Sequence, residues 1–560
     1  MEKPLRYRMM YKRILFALFL CLPATLHAQQ DGVLQIRDDV HLFLLNAQTQ
    51  GYLPDAILSH LPLSAYEARE YLLALDSSLT GSERAYWEYL RGETSSAPSW
   101  LTRRFPFLYT NGQDVFSTQG KNYALQINPL LYLSFGRSWE RIPEGSLQRT
   151  TWQNTRGIRV SGHLGKHIFF ESRLEENQTV LPPLARDIFL KRLSWAAERR
   201  DFLPEGGLDY WRVTGIVGVR IPFVELRFGR ARNKWGPGLS SLLLSDYAPP
   251  YDQLQIRTSF WRLQYTNLYG IMTDPYKPRA GIEAEASAPR FIAMHRLALR
   301  LHRRLQLGFY ESVTLDPEAF RSETQMLAAF LNPIIFYRAV DISIGSPGNM
   351  LIGTDWYWQF GRGLAFYGQF LLDEFRFREL IARRGWWGNK WGLLTGLHIT
   401  RLPVSGTALW VEYVLQRPYL YSNRTTTLSY THLRAPLGYP TGPNSRTLSL
   451  YLTHRRQMYH IDVLVLWLQR GRDANGKNYG SNPIKPYTTR VGDYGISLLQ
   501  GVRQDSWLVE TRAGIELLPR LSLDVTLRYQ LLKDAENGVY RTWNPALLLR
   551  WGLPYQSLYF

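Results

Sequence analysis

The chain has 560 residues, 45% of them hydrophobic and 14% aromatic, which is enough to bury a large folded structure and excludes a disordered class. Its formal charge is +19, and its single cysteine, Cys21, excludes a disulfide framework, cysteine-held zinc and thiol catalysis.

Residues 1–28 read as a secretory signal peptide: a basic start with Lys3, Arg6, Arg8, Lys12 and Arg13, the apolar run ILFALFLCL, then Pro23 and a small-residue site ending at Ala28. The apolar run is too short for a membrane helix, and Leu20 before Cys21 argues against lipidation. Loss of this segment removes five Lys/Arg and one Glu and leaves +15. A basic exported protein points to an acidic partner outside the cytoplasm rather than to nucleic acid. Arginines that face a polar interior or lipid phosphates are the competing explanation.

Residues 29–120 form a small helical module and linker. Ser64 with Glu67 and Thr80 with Glu83 have capping-box spacing before the helix-forming runs AREYLLAL and RAYWEYL, and TSSAPSW leads out.

From residue 121 to 560 the hydrophobic period is two. In LQINPLLYLSF the apolar positions are Leu125, Ile127, Leu131, Leu133 and Phe135. In LSLDVTLRYQL they are Leu521, Leu523, Val525, Leu527, Tyr529 and Leu531, alternating with Ser522, Asp524, Thr526, Arg528 and Gln530. Alternation over about ten residues suits a tilted strand crossing a membrane. Tight turns at 163, 220, 302, 361, 454 and 518 alternate with long segments near 136–153, 177–208, 231–252, 273–290, 314–348, 375–390, 418–445, 470–503 and 532–540. Short periplasmic turns and long external loops are the asymmetry of an outer-membrane barrel. The closing strand is expected to run to the end of the chain, where Leu558 and Phe560 match the alternate apolar positions of a C-terminal barrel-assembly signal. Tyr555 stands where that signal usually has Gly.

One loop is distinctive: FGRARNKWGPGLSSLLLSDYAPPYDQLQIR, residues 228–257. With LNPIIFYRA, NMLIGTDWYWQFGRGLAFYGQFLLDEF, LLQGVRQDSW and LLPRLSLDVTLRYQ it resembles the Wzi-type capsule-assembly family over nearly the whole mature chain. The resemblance implies an antiparallel outer-membrane β-barrel of about 18 strands, a count that strand tracing with this expectation also gives. It further implies periplasmic helices near the lower mouth, and outer loops that hold acidic capsular or surface polysaccharide in a lectin-like, non-catalytic way.

Anionic glycans are held by guanidinium and ammonium groups and stack on aromatic rings. The candidates are Arg230, Arg232, Lys234, Trp235 and Asp246 in the first loop, Arg383, Arg384, Trp386, Trp387, Lys390 and Trp391 in RRGWWGNKW, and Lys477, Tyr479, Lys485 and Tyr487 in GKNYGSNPIKPY. Two other readings stand beside these: Trp386 and Trp387 as members of an interfacial aromatic belt, and the GRARNKWGPG loop as a plug folded into the lumen.

No catalytic, cofactor or metal motif is expected. GLSSL at 238 is not a nucleophile elbow, and DANGKN at 473 lacks the acids of a calcium loop. The expected partners are outer-membrane lipid and lipopolysaccharide, an acidic surface polysaccharide and the barrel-assembly machinery, with the protein a monomer in a Gram-negative outer membrane. The alternatives are a transport channel, since about eighteen strands can enclose a pore, and a component of gliding-type surface assembly or adhesion.

Overall fold

A computed structural model describes residues 39–75, 79, 81–90, 109, 114–182, 200–203, 207–278, 287–335, 348–456 and 458–555. The expected signal peptide, Thr80 of the second capping box, and Leu558 and Phe560 lie outside these residues.

Eighteen antiparallel strands close into one barrel. In chain order they are β1 (Tyr123–Ile142), β2 (Gly145–Leu164), β3 (Ile168–Val180), β4 (Gly207–Ile221), β5 (Val224–Ala231), β6 (Tyr251–Phe260), β7 (Leu263–Pro278), β8 (Ser287–His302) and β9 (Leu305–Leu315). The second half comprises β10 (Gly348–Gly361), β11 (Leu364–Glu374), β12 (Lys390–Ile399), β13 (Thr407–Gln416), β14 (Ser445–Arg456), β15 (Tyr459–Arg472), β16 (Val502–Leu518), β17 (Leu521–Asp534) and β18 (Gly538–Trp551). β18 pairs with β1, so the wall has no free edge.

The alternation sorts as a membrane barrel requires. Phe135, Val525 and Leu527 point outward and are 68%, 59% and 44% exposed, whereas Asp524, Thr526 and Gln530, on the alternate positions of β17, are buried against the lumen. A soluble sandwich would bury the apolar face instead. No helix among the described residues is long and apolar enough to cross a membrane.

The tight turns expected from the sequence all lie at one end of the barrel, and the long loops at the other. Two of the expected loops are instead hairpins: β1 and β2 continue to a turn at 143–144, and β17 and β18 to a turn at 535–537. The closing strand also ends earlier than expected. β18 stops at Trp551, Gly552 takes φ 68°, and Leu553 folds inward onto Leu130, Tyr132 and Leu548. Pro554 cannot donate to a ladder, which accounts for the strand ending before it.

Among the described residues three helices precede the barrel: α1 (Asp39–Gln50), α2 (Ala65–Ala74) and α3 (Gly81–Leu90). Ser64 caps α2 reciprocally with Glu67, as the spacing predicts. Leu44, Leu58, Leu63, Leu72 and Trp87 give these elements a small core of their own. They do more than sit near the mouth, because residues 46–67 enter the lumen and bond to inward side chains of the wall. Thr49 Oγ1 lies 2.9 Å from Tyr357 Oη and 2.7 Å from His398 Nδ1. Gln306 donates to the Ala56 carbonyl at 2.7 Å, and Arg296 to Ser59 Oγ at 2.7 Å.

Candidate functional site

The loop between β5 and β6 turns into the barrel. Lys234 and Trp235 pair with His60 and Leu61 of the N-terminal segment, and the Gly236 amide donates to the Ser59 carbonyl at 2.8 Å. Gly236 and Gly238 have φ 94° and 117°. A Cβ on either would strike the Gln369 amide at 2.4 Å or the Glu412 carboxylate at 2.6 Å, so only glycine fits between the loop and the wall. Gln369 and Glu412 then hold the loop by its backbone, accepting from Leu242 N at 2.8 Å and Leu239 N at 2.9 Å.

Leu242, Leu243 and Leu244 are fully buried against Leu351, Tyr367 and Leu394 of the wall and against Tyr421, Tyr430 and Leu437. The last three belong to the β13–β14 loop, which also folds inward. Tyr421 and Tyr430 donate to the carbonyls of Leu242 and Leu243, and Ser245 N donates to the Leu437 carbonyl. Arg290 of β8 bonds to the Thr426, Thr427 and Ser429 carbonyls of that loop. One half of the lumen is therefore an apolar core made by two interlocked loops.

The other half is filled by charge. Inward-facing Arg159 and Arg173 share Glu171 at 2.9 and 2.6 Å, Arg528 meets Glu510 at 2.6 Å, and Arg455 and Arg512 share Asp462. Arg550 and His460 share Asp524. Many of the arginines that raise the net charge are thus neutralised inside the wall.

This arrangement splits the candidate residues. Trp235 is fully buried, and Lys234 is buried with its Nζ on the Gly238 carbonyl at 2.5 Å. Both serve the plug, and a glycan at the surface cannot touch them. Arg232 reaches the Asp246 carbonyl at 3.5 Å within the same loop, and Arg230 forms a bidentate pair with Asp252 on the outer face of the wall. Lys390 is fully buried, 3.1 Å from Asp373 and 2.8 Å from the Ser422 carbonyl, so it is an internal ion pair and not an anion contact.

The remaining candidates come together at the loop end. The β11–β12 loop contains a short helix, α4 (Phe377–Ala382), capped at its C-terminus by Arg383, which is exposed and in the left-handed conformation. This loop is laced to the β15–β16 loop: Trp387 N donates to the Asp493 carbonyl, Gly495 N to that of Arg384, and Ile496 N to that of Gly385, each at 2.9 Å. Trp387 contacts both Tyr487, with ring centres 4.5 Å apart, and the Arg490 guanidinium at 4.3 Å. Arg376 covers Trp386 at 4.6 Å, and Arg384 covers Tyr494 at 4.9 Å while pairing with Glu379. Lys485 pairs with Asp473 at 3.0 Å, Lys477 is exposed, and Tyr479 is partly buried. Burial pushes the Tyr487 hydroxyl up to about 12, so it stays a neutral hydrogen-bonding group at physiological pH. The sequence reading missed Arg376, Arg490 and Tyr494, which lack a local motif. The available signal was their place in the two loops already carrying tryptophan and lysine.

No protein-family model matches the chain, and no curated protein matches it by sequence. Solved structures do match. Wzi, an outer-membrane protein involved in group 1 capsule assembly in Escherichia coli and a carbohydrate-binding β-barrel, aligns with a TM-score of 0.56 at 13% identity, over 94% of this chain and 100% of its own. The fold is that of Wzi. At this identity the match to Wzi speaks for architecture, including strand number and near-complete coverage of both chains. Two Pseudomonas aeruginosa barrels, OccK8 (OprE) and OprD, align at TM-scores of 0.40 and 0.39 with 10% and 11% identity. Each covers 77% of this chain, and 98% and 96% of their own, a likeness too weak to argue from.

Proposed function

We propose that this protein is a Wzi-type capsule-assembly barrel of a Gram-negative outer membrane, reached by signal-peptide export, that retains acidic capsular or surface polysaccharide through its outer loops without catalysis. The observation that carries this reading is the contrast between the two ends of the molecule's chemistry. The lumen is occupied by the chain's own helices, loops and ion pairs, while the joined β11–β12 and β15–β16 loops present guanidinium groups beside aromatic rings. Guanidiniums pair bidentately with carboxylate or phosphate, and tryptophan and tyrosine faces suit sugar rings. On this reading Arg376, Arg383, Arg384, Trp386, Trp387, Lys477, Tyr487, Arg490 and Tyr494 form the retaining surface, and Lys485 tunes it. A transport channel has less support, since the charged half of the lumen consists of nearly buried ion pairs rather than solvated ones.

The test is binding of a purified acidic polysaccharide to the full chain in detergent. R383Q/R384Q/R490Q should weaken it at least tenfold, and a polysaccharide stripped of its acidic groups should bind no better than the variant. Unchanged binding by the triple variant would move the site elsewhere.

A further inference from the structure

At the loop end of the closing seam, β18 and β1 set Trp543 opposite Trp139 and, two residues further up, Arg541 opposite Arg141, all facing away from the lumen. Directly opposed residues of an antiparallel pair hold their Cβ atoms about 4.5–5.5 Å apart, and like charges in that relation repel. Arg137, on the same face, lies 5.9 Å from the Trp139 ring and adds a third guanidinium. Among the described residues no carboxylate pairs with Arg141 or Arg541. Glu140 faces the lumen, and Asp505, the outward acid two strands away, is held by Arg503 at 3.0 Å.

The seam is also thin at this height. Pro545 has no N–H for the ladder, and the Asn544 side chain substitutes by donating to the Arg137 carbonyl at 3.2 Å. Below Arg141 and Arg541 runs an outward aromatic row: Trp139 and Trp543, Tyr529 with its ring 4.6 Å from Trp543, then Trp507 and Trp467 on the next strands. Such a row marks the membrane–water interface. Cations one step above it stand at the level of lipid phosphates.

We propose that a phosphate group of an external-leaflet lipid bridges Arg141 and Arg541, relieving their repulsion and stapling the strand pair that closes the barrel. The ligand class is a phosphorylated lipid whose acyl chains lie along the apolar wall and whose phosphate meets the two guanidiniums.

The experiment measures thermal unfolding of the purified full chain in detergent with bisphosphorylated lipid A, with dephosphorylated lipid A, and with inorganic phosphate at the same concentration. Bisphosphorylated lipid A should raise the midpoint of the native sequence, and the other two should not. R541E should raise the midpoint in plain detergent, because the new carboxylate neutralises Arg141, and should abolish the response to lipid. R141Q and R541Q, which test the site if R541E does not fold, should each weaken lipid binding by about tenfold in native mass spectrometry, the scale of one charge-assisted hydrogen bond. An equal response to lipid in the variants and the native sequence would overturn the proposal. So would an equal effect of inorganic phosphate, which would make this a general anion site, or no response in the native sequence.

Discussion

Glu67→Gln should loosen the N-terminal segment from the lumen. Glu67 accepts from Arg257 at 2.7 Å and lies 3.7 Å from Arg227, while Glu225 serves Arg220, Arg227 and Arg257 at 2.5–2.9 Å. Glutamine keeps the cap on α2 and nearly the same volume, so the substitution removes charge alone. Three guanidiniums are then left with one carboxylate in a buried site. Breaking a buried pair in this way costs about 3–5 kcal/mol, so the undocked population should rise by roughly two to three and a half orders of magnitude. Acid should act in the same direction. Burial alone would raise the Glu67 carboxyl, but Arg257, His60 and Arg227 hold it well below its usual range. Docking energy from this group is therefore present at neutral pH and lost as pH falls below about 4.5. His60 is held down to about 4 by burial and by Arg257, so it must lose a proton to dock, and docking weakens from pH 6.5 downward, by roughly 3 kcal/mol at pH 4. His41, pushed down to about 3 by burial and Lys234, adds to this trend. Cys21 is the only native cysteine, so in a C21S background A56C is the sole thiol: Ala56 is 1% exposed, and its maleimide labelling rate follows the undocked population. Equal labelling with and without E67Q, and no rise between pH 7 and pH 5, would refute the latch.

Trp235→Ala should leave a cavity among Leu242, Tyr310 and the wall and cost about 3–5 kcal/mol, read as a lower unfolding temperature on heat-modifiability gels without loss of polysaccharide binding. Trp387→Ala removes the contacts to Tyr487 and Arg490, so amide exchange should accelerate across residues 484–496 by the equivalent of about 1–2 kcal/mol while the barrel strands stay protected. Lys390→Gln should leave Asp373 unpaired in a buried site and lower stability rather than polysaccharide affinity; an affinity loss at native stability would return Lys390 to the binding surface.

The wall was legible because a membrane barrel writes its two faces into alternate residues, and Leu521 to Leu531 obey that rhythm without exception. The two misplaced loops follow from the same logic. From the membrane–water interface upward, outward positions such as Arg141 and Arg541 stop being apolar while strand pairing continues, so loss of hydrophobicity was mistaken for loss of structure. The inward path of the β5–β6 loop had a sequence signal, the run Leu242-Leu243-Leu244, which lacks a period of two and cannot face water as a triplet. The fate of Lys390 had none, because its partners Asp373 and Glu374 are brought to it only by the pairing of β11 with β12. The early end of β18 was written in Gly552 and Pro554.

Conductance of the intact chain in a planar bilayer tests most directly whether this barrel holds polymer rather than passes solute. With the N-terminal segment, the two interlocked loops and the inward ion pairs in place, the account predicts no steady conductance at neutral pH. A stable open pore in the unmodified protein would contradict it.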